Sequence, residues 1–272
     1  MDSRLFRRVQ RYGWDAASDA YDRGWVPLLT SLTRACVERA DLRTGDRVVD
    51  VATGTGVAAF AAAAAVGSTG AVTGVDVSER MIARATELRA GQGATNVAFE
   101  RSDMETLGGP DGAFDAAISA FGLMYAAERK AAAAELARVL APGGRLSAVV
   151  WGRRSACGWA EVFPIVDAHV ESEVCPLFFS LGVPRALEIL FTGAGFVDVV
   201  EERRDVTLVW RSDDEACGAM LEGGPVALAW KRFPPETRAR VRAAYLESIA
   251  PFRRGAGYEV PSEVVFARAR RA

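Results

Sequence analysis

The chain has 272 residues, half of them hydrophobic, with 33 Lys and Arg set against 35 Asp and Glu and a formal net charge of -2. That composition excludes a disordered chain, and the charge balance provides no broad basic field for nucleic acid or an anionic membrane surface. Cys36, Cys157, Cys175 and Cys217 stand too far apart for a CxxC zinc site or a disulfide scaffold, so they read as reduced thiols and no metal is expected.

The first residues, "MDSRLFRRVQRYGWDAASDAYDRGW", lack the apolar stretch of a secretory signal, and no segment of about 20 apolar residues follows. The expected location is cytoplasmic, with a small-molecule substrate and neither nucleic acid nor membrane as partner. Residues 1–44 carry helical patterning with Tyr12, Trp14, Tyr21 and Trp25, and end in a turn at "TGD". A regular alternation then begins. "RVVDVA" at 47–52 reads as a buried strand, "GVAAFAAAAAVG" as a helix rising from a glycine turn, and "GAVTGVDV" at 70–77 as a second strand. Ser78 is placed to cap the helix "ERMIARATELRAGQG".

Strands are expected at "NVAFERSD" (96–103), "FDAAISAF" (114–121) and "RLSAVVW" (145–151), the last preceded by a helix "ERKAAAAELARVL" that stops at "APGG". Strands alternating with helices at these lengths imply a parallel sheet covered on both faces, the doubly wound α/β arrangement. After Trp151 the rhythm changes. Stretches at 155–190 and 212–252 read as helical cap insertions, "FVDVVEERRDVTLVW" as extended chain and "YEVPSEVVFARAR" as a final strand.

"VDVATGTG" at 49–56 is the segment that points to chemistry. Two glycines one residue apart, directly after a β-branched run, let backbone approach a ligand where a helix begins. Taken alone, "GTGVAA" also satisfies the dinucleotide pattern, and Asp76 lies about 20 positions on, where a carboxylate can accept from ribose hydroxyls. A nicotinamide enzyme and other nucleotide binders therefore stay open at this point.

Several ordered segments together resemble the class I S-adenosylmethionine-dependent methyltransferases, in their ubiquinone/menaquinone-biosynthesis type. These are "VVDVATGTG", "GVDVSERMI", "RSDMETL", "FDAAISAFGLMY" and "LARVLAPGGRLSAVVW", and the match extends over about residues 10–152. The resemblance implies a Rossmann-like sheet of seven strands, mostly parallel with an antiparallel last strand, and S-adenosyl-L-methionine as cofactor. It implies a single domain over 1–272, with an N-terminal helical lid at 1–44 and a cofactor-binding core at 45–152. It also implies residue roles. Asp50 and Ala52, Thr53, Gly54, Thr55 and Gly56 would surround the methionine portion, and Asp76 would hold the ribose. Val77 and Met81 would flank the adenine, Asp103 and Met104 would bond to it, Ser119 and Phe121 would lie beneath the sulfonium, and Tyr21 would close the pocket.

Methyl transfer from a sulfonium needs backside alignment, so positioning can outweigh acid and base chemistry. His169 is the single histidine, and its place in the first cap insertion makes it the candidate general base; Tyr12, Tyr21 and Tyr125 are other polar aromatic candidates. Trp159, Phe163, Phe178, Phe179, Trp230 and Phe233 in the two insertions are candidates for an apolar acceptor pocket, with ordinary packing as the competing reading. The leading expectation is methylation of a small, hydrophobic metabolite at oxygen or carbon. Competing expectations are a methyltransferase-fold protein that rearranges or cyclises a polyketide-like substrate without methylating it, and a noncatalytic binding protein.

Overall fold

The computed structural model describes residues 3–171 and 174–272. Two helices, α1 (Ser3–Gly24) and α2 (Val26–Arg39), precede the alternation β1 (Arg47–Val51), α3 (Val57–Val66), β2 (Ala71–Asp76), α4 (Glu79–Gln92), β3 (Val97–Arg101), β4 (Phe114–Ala120), α5 (Arg129–Val139) and β5 (Leu140–Trp151). The first insertion holds α6 (Val162–Asp167) and leads to α7 (Ala186–Gly193) and β6 (Phe196–Trp210). The second holds α8 (Asp213–Cys217), α9 (Ala227–Arg232) and α10 (Pro235–Ile249), before β7 (Arg253–Arg254) and β8 (Gly257–Arg271).

The sheet order is β3-β2-β1-β4-β5-β8-β6, with β7 paired to β8 off that path. β1 to β5 run parallel, and β8 is antiparallel to both β5 and β6. This is the expected doubly wound sheet. Its eighth strand is a two-residue hairpin arm formed where the chain turns through Gly255, at φ 58, into β8. The order reverses between β1 and β4, and such a switch leaves a crevice at the carboxyl ends of the strands.

Local sequence explains the elements that line this crevice. β1 is buried at four of its five positions, as its Val-rich run requires. Ser78 caps α4 by accepting from the Met81 N–H at 3.1 Å, and Gly93 closes the other end in the left-handed region at φ 64. One boundary differs from expectation. β5 begins at Leu140, because Leu140 pairs with Phe114 and Arg145 with Ala116, and the "PGG" residues bulge out between those two pairings.

The first insertion is held on the sheet by a buried carboxylate. Glu263 of β8 accepts from Arg203 Nε at 3.1 Å and from the Arg153 N–H at 2.9 Å, while Arg203 also donates to the Gly182 carbonyl at 2.7 Å. Both ends of the excursion between residues 153 and 182 are thereby fixed. All four cysteines are unpaired and buried. Among the described residues no helix is long and apolar enough to cross a membrane.

Glu263→Ala should leave the half-buried Arg203 guanidinium short of its partner and cost about 1.5–3 kcal/mol of stability, since hydrogen bonds to a charged group are worth that much. Urea unfolding followed by circular dichroism checks it, and an unchanged midpoint would mean the insertion is held elsewhere.

Candidate active site

The glycine turn is built at the carboxyl end of β1. Its N–H groups are drawn into place by two bonds, Thr53 to the Val75 carbonyl and Gly56 to the Thr53 carbonyl, each at 2.9 Å. Gly56 has φ 92, and a Cβ there would stand 2.8 Å from the Phe99 ring, so glycine is required on both counts. Ala52, at φ 59, is not a glycine and bears a strain of roughly 1–2 kcal/mol. Phe121, at the end of β4, has the same φ of 59. The two strained turns meet: a Cβ on the intervening Gly122 would lie 2.4 Å from the Ala52 methyl.

Asp76 ends β2 beside this turn. One of its oxygens accepts from the Gly54 N–H and the other from the Ser78 N–H, both at 2.9 Å, which aims the carboxylate and its remaining lone pairs into the crevice. Burial pushes its pKa up to about 6, against the pull of those N–H groups. Asp50 lies beneath, 1% exposed. Thr53 Oγ1 donates to one of its oxygens at 2.6 Å, whereas the other has no partner. Burial raises the Asp50 carboxyl to about 7.

α1 forms the facing wall. Arg7, Gln10, Trp14 and Tyr21 recur at helical spacing and point to one cavity, while Asp15, Asp19 and Asp22 on the neighbouring face grip α4. Asp15 accepts from Ser78 Oγ at 2.7 Å, Asp19 from Arg80 at 2.6 Å and Asp22 from Arg84 at 2.8 Å. At the far end, Arg7 pairs with Glu105, whose other oxygen accepts from the Ala127 and Glu128 N–H groups at 2.6 and 2.9 Å. Glu105 thus ties the wall helix to the start of α5. Trp14 stands edge-on to Tyr21 at 5.8 Å and to Tyr125 at 5.0 Å.

The cavity so formed holds about 760 Å3 of space including its mouth. The turn contributes Ala52 and Gly54, the β2 end Asp76, Val77 and Met81, the β3 end Asp103 and Met104, the β4 end Phe121, and α1 contributes Tyr21. The other expected residues lie around it. Asp50 and Thr53 form the pair beneath the turn, Ser119 Oγ donates to the Val51 carbonyl at 2.9 Å, Gly56 starts α3, and Thr55 faces a groove between α2 and α3. His169 faces elsewhere. It lines a second cavity on the other side of α1 with Phe233, their rings 5.9 Å apart.

The cap aromatics divide. Trp159, Phe163 and Phe178 are buried against one another, with Phe163 and Phe178 centroids 4.9 Å apart and Phe179 packed on them, so their side chains are core. Trp230 stacks under the Arg238 guanidinium at 5.7 Å. Tyr125 lines the first cavity, whereas Tyr12 points outward at 47% exposure. Sequence reasoning missed Arg7, Gln10 and Glu105. For Arg7 and Gln10 the signal is the 7, 10, 14, 21 spacing, which places polar residues on the same helix face as the aromatics; Glu105 lies outside α1 and carries no such signal.

The comparisons with known proteins agree with this geometry. A family model described as "Methyltransferase domain" matches residues 48–144. Aklanonic acid methyltransferase DauC of a Streptomyces species is 31% identical over 147 residues, which cover 54% of this chain and 67% of that protein. The chain belongs to the class I S-adenosylmethionine-dependent methyltransferases. Nocamycin O-methyltransferase of Saccharothrix syringae is 28% identical over 252 residues, 87% of this chain and 89% of that protein. A ubiquinone/menaquinone biosynthesis C-methyltransferase of Pseudomonas putida is 39% identical over 134 residues, but the match spans only 51% of it. Among solved structures, the [4+2]-cyclase SpnF superimposes with a TM-score of 0.60 at 25% identity, over 91% of this chain and 82% of that one. The enzyme is therefore a small-molecule methyltransferase that uses S-adenosyl-L-methionine.

The raised carboxyls set a pH dependence for the ligand-free methyltransferase. A carboxyl whose pKa is higher folded than unfolded, about 3.9, contributes stability below that value, and the contribution is lost as pH rises through the folded pKa. With Asp76 at about 6 and Asp50 at about 7, the unfolding free energy should fall as pH rises from about 4 to about 7. Asp50→Asn should flatten that slope in urea titrations run across the window. A slope identical to wild type would remove Asp50 as its source.

Proposed function

We propose that this methyltransferase methylates an oxygen or acidic carbon of a small, largely apolar metabolite, and that the first cavity binds the cofactor. The observation that carries the reading is the cavity wall, where carboxylates gather at the β2 and β3 ends and the opposite side is aromatic. In this reading Asp76 accepts from both ribose hydroxyls, Val77 and Met81 pack on the adenine, Asp103 accepts from its amino group and Met104 donates its N–H. The Ala52 to Gly56 turn, with Asp50 beneath it, surrounds the methionine portion. Tyr21 and Phe121 complete the sulfonium end, with Ser119 behind them on β4. When bound, S-adenosylmethionine supplies a methyl group on a sulfonium, and the acceptor's lone pair forms the new bond as sulfur keeps the electron pair of the old one.

The chain's part is to align the acceptor and exclude water, which α1 and the aromatic rings favour by roofing the cavity. Tyr21 and Tyr125 do not supply a base near neutrality, because burial raises both phenols above their ordinary value. An acceptor with its own acidity, an enol, phenol or carboxylic acid, or a carbon acid, suits such a site. Support for oxygen comes from the nocamycin O-methyltransferase, the relative matched over most of both chains; the ubiquinone/menaquinone relative acts at carbon. The likeness to SpnF favours a second reading, cofactor-supported cyclisation without methyl transfer.

Incubation with methyl-labelled cofactor and a metabolite extract, read by mass spectrometry, separates the two: labelled product supports the first, and an unlabelled isomer of an input metabolite the second. Calorimetry should find S-adenosylhomocysteine binding and no NAD binding. Asp76→Ala should weaken that binding by about 1.5–3 kcal/mol while the far-ultraviolet dichroism stays unchanged. In wild type, affinity should decline as pH falls below about 6, by up to about tenfold per unit, because a protonated Asp76 accepts the ribose hydroxyls poorly. His169→Gln should keep turnover within about tenfold of wild type, since His169 lines the second cavity and lies outside the first, where the methyl group would sit; a hundredfold loss would restore it as the base.

A further inference from the structure

α1 carries a glycine that its own conformation does not need. Gly13 lies in mid-helix, its φ is not positive, and a Cβ built on it meets no atom within 4 Å. A helix-interior glycine is less stabilising than alanine, so the position forgoes stability with no turn or close neighbour to account for it. Empty space is what the glycine provides. That space belongs to the second cavity, about 1270 Å3 and open to solvent, whose wall includes Val9 and Gly13 of α1, Val170 of the first insertion and Leu228 and Phe233 of the second.

Gln10 and Trp14 line both this cavity and the first. They form a wall shared by the two cavities. Trp14 stands nearly perpendicular to the rings of Tyr21 and Tyr125, and Gln10 is 8% exposed. A primary amide offers two N–H donors and a carbonyl acceptor, yet Gln10 makes one hydrogen bond within the described residues, from Nε2 to the Cys175 sulfur at 3.2 Å. Sulfur is a weak acceptor, so a buried amide at the junction of two cavities keeps most of its hydrogen-bonding capacity for something else.

We propose that the methyl acceptor binds in the second cavity, lying over Gly13, with its reacting end passed between Trp14 and Gln10 toward the first. The ligand is an apolar molecule whose hydroxyl or carbonyl meets the Gln10 amide, and the cap supplies the walls that hold its remainder. This rests on the reading of the first cavity as the cofactor site. The assignment explains why residues far apart in the chain, such as Val9 and Gly13, Val170 and Cys175, and Leu228 and Phe233, converge on one groove.

The test fills the groove from the glycine. Gly13→Phe projects a ring into the second cavity and Gly13→Ala only a methyl group, and both raise helix propensity, so α1 should stay folded by circular dichroism. The expected result is S-adenosylhomocysteine affinity within about threefold of wild type for both variants, with labelled product from the metabolite extract reduced at least tenfold in Gly13→Phe and far less in Gly13→Ala. A parallel arm needs no acceptor. 1-Anilinonaphthalene-8-sulfonate should bind wild type, both ligand-free and loaded with S-adenosylhomocysteine, with enhanced fluorescence and bind Gly13→Phe at least tenfold more weakly. Wild-type product formation or undiminished dye binding in Gly13→Phe would overturn the proposal. Failure of wild type to bind S-adenosylhomocysteine would instead overturn the reading of the first cavity, with the dye arm still reporting on the second.

Discussion

The Asp76 carboxylate is the local joint between the glycine turn and the start of α4, and the geometry of the site depends on it. A parallel sheet leaves each strand end with backbone groups that its neighbours do not satisfy, and Asp76 takes one N–H from the β1 turn and one from the start of α4. Those two bonds fix where the glycine turn sits relative to β2 and where α4 begins. Ser78, held by the same carboxylate through its N–H, caps α4 with its hydroxyl and donates that hydroxyl to Asp15. α1 is thus linked to Asp76 through Ser78, beside its separate ties to Glu105, Arg80 and Arg84. Burial makes this expensive for a charge, as its raised pKa records, and a ligand that donates hydrogen bonds relieves the cost.

The core was legible because its signals are local. Val and Ile runs specify strands buried on both faces, Ser78 and Gly93 mark the ends of α4, and the spacing from Gly54 to Asp76 is that of a turn and the next strand end. The residue set drawn from the family resemblance meets the first cavity at nine positions from Tyr21 to Phe121, and the remainder stand behind the turn as supports. The start of β5 was not legible, since "APGG" reads as a stop, whereas the structure lets the two glycines bulge within a continuing strand.

The helix α1 was the harder part. Its Arg7, Gln10, Asp15 and Asp19 look like an ordinary solvated face when read one by one, and only the placement of Glu105 and α4 reveals what they engage. His169 could not be placed from the sequence for a related reason: a cap residue can meet either side of α1, and the fold puts this one on the side away from the glycine turn. The cap aromatics behave similarly, with Trp159, Phe163 and Phe178 satisfying one another in the interior.

The grip of α1 on α4 makes the wall of the first cavity sensitive to salt. Asp19–Arg80 and Asp22–Arg84 are exposed ion pairs, individually worth about 1 kcal/mol or less, and the same helix walls both cavities. Added salt screens such pairs, whereas the bonds from Ser78 to Asp15 and from Arg7 to the buried Glu105 are screened far less. Any shift of α1 that follows from that screening is felt in both cavities at once.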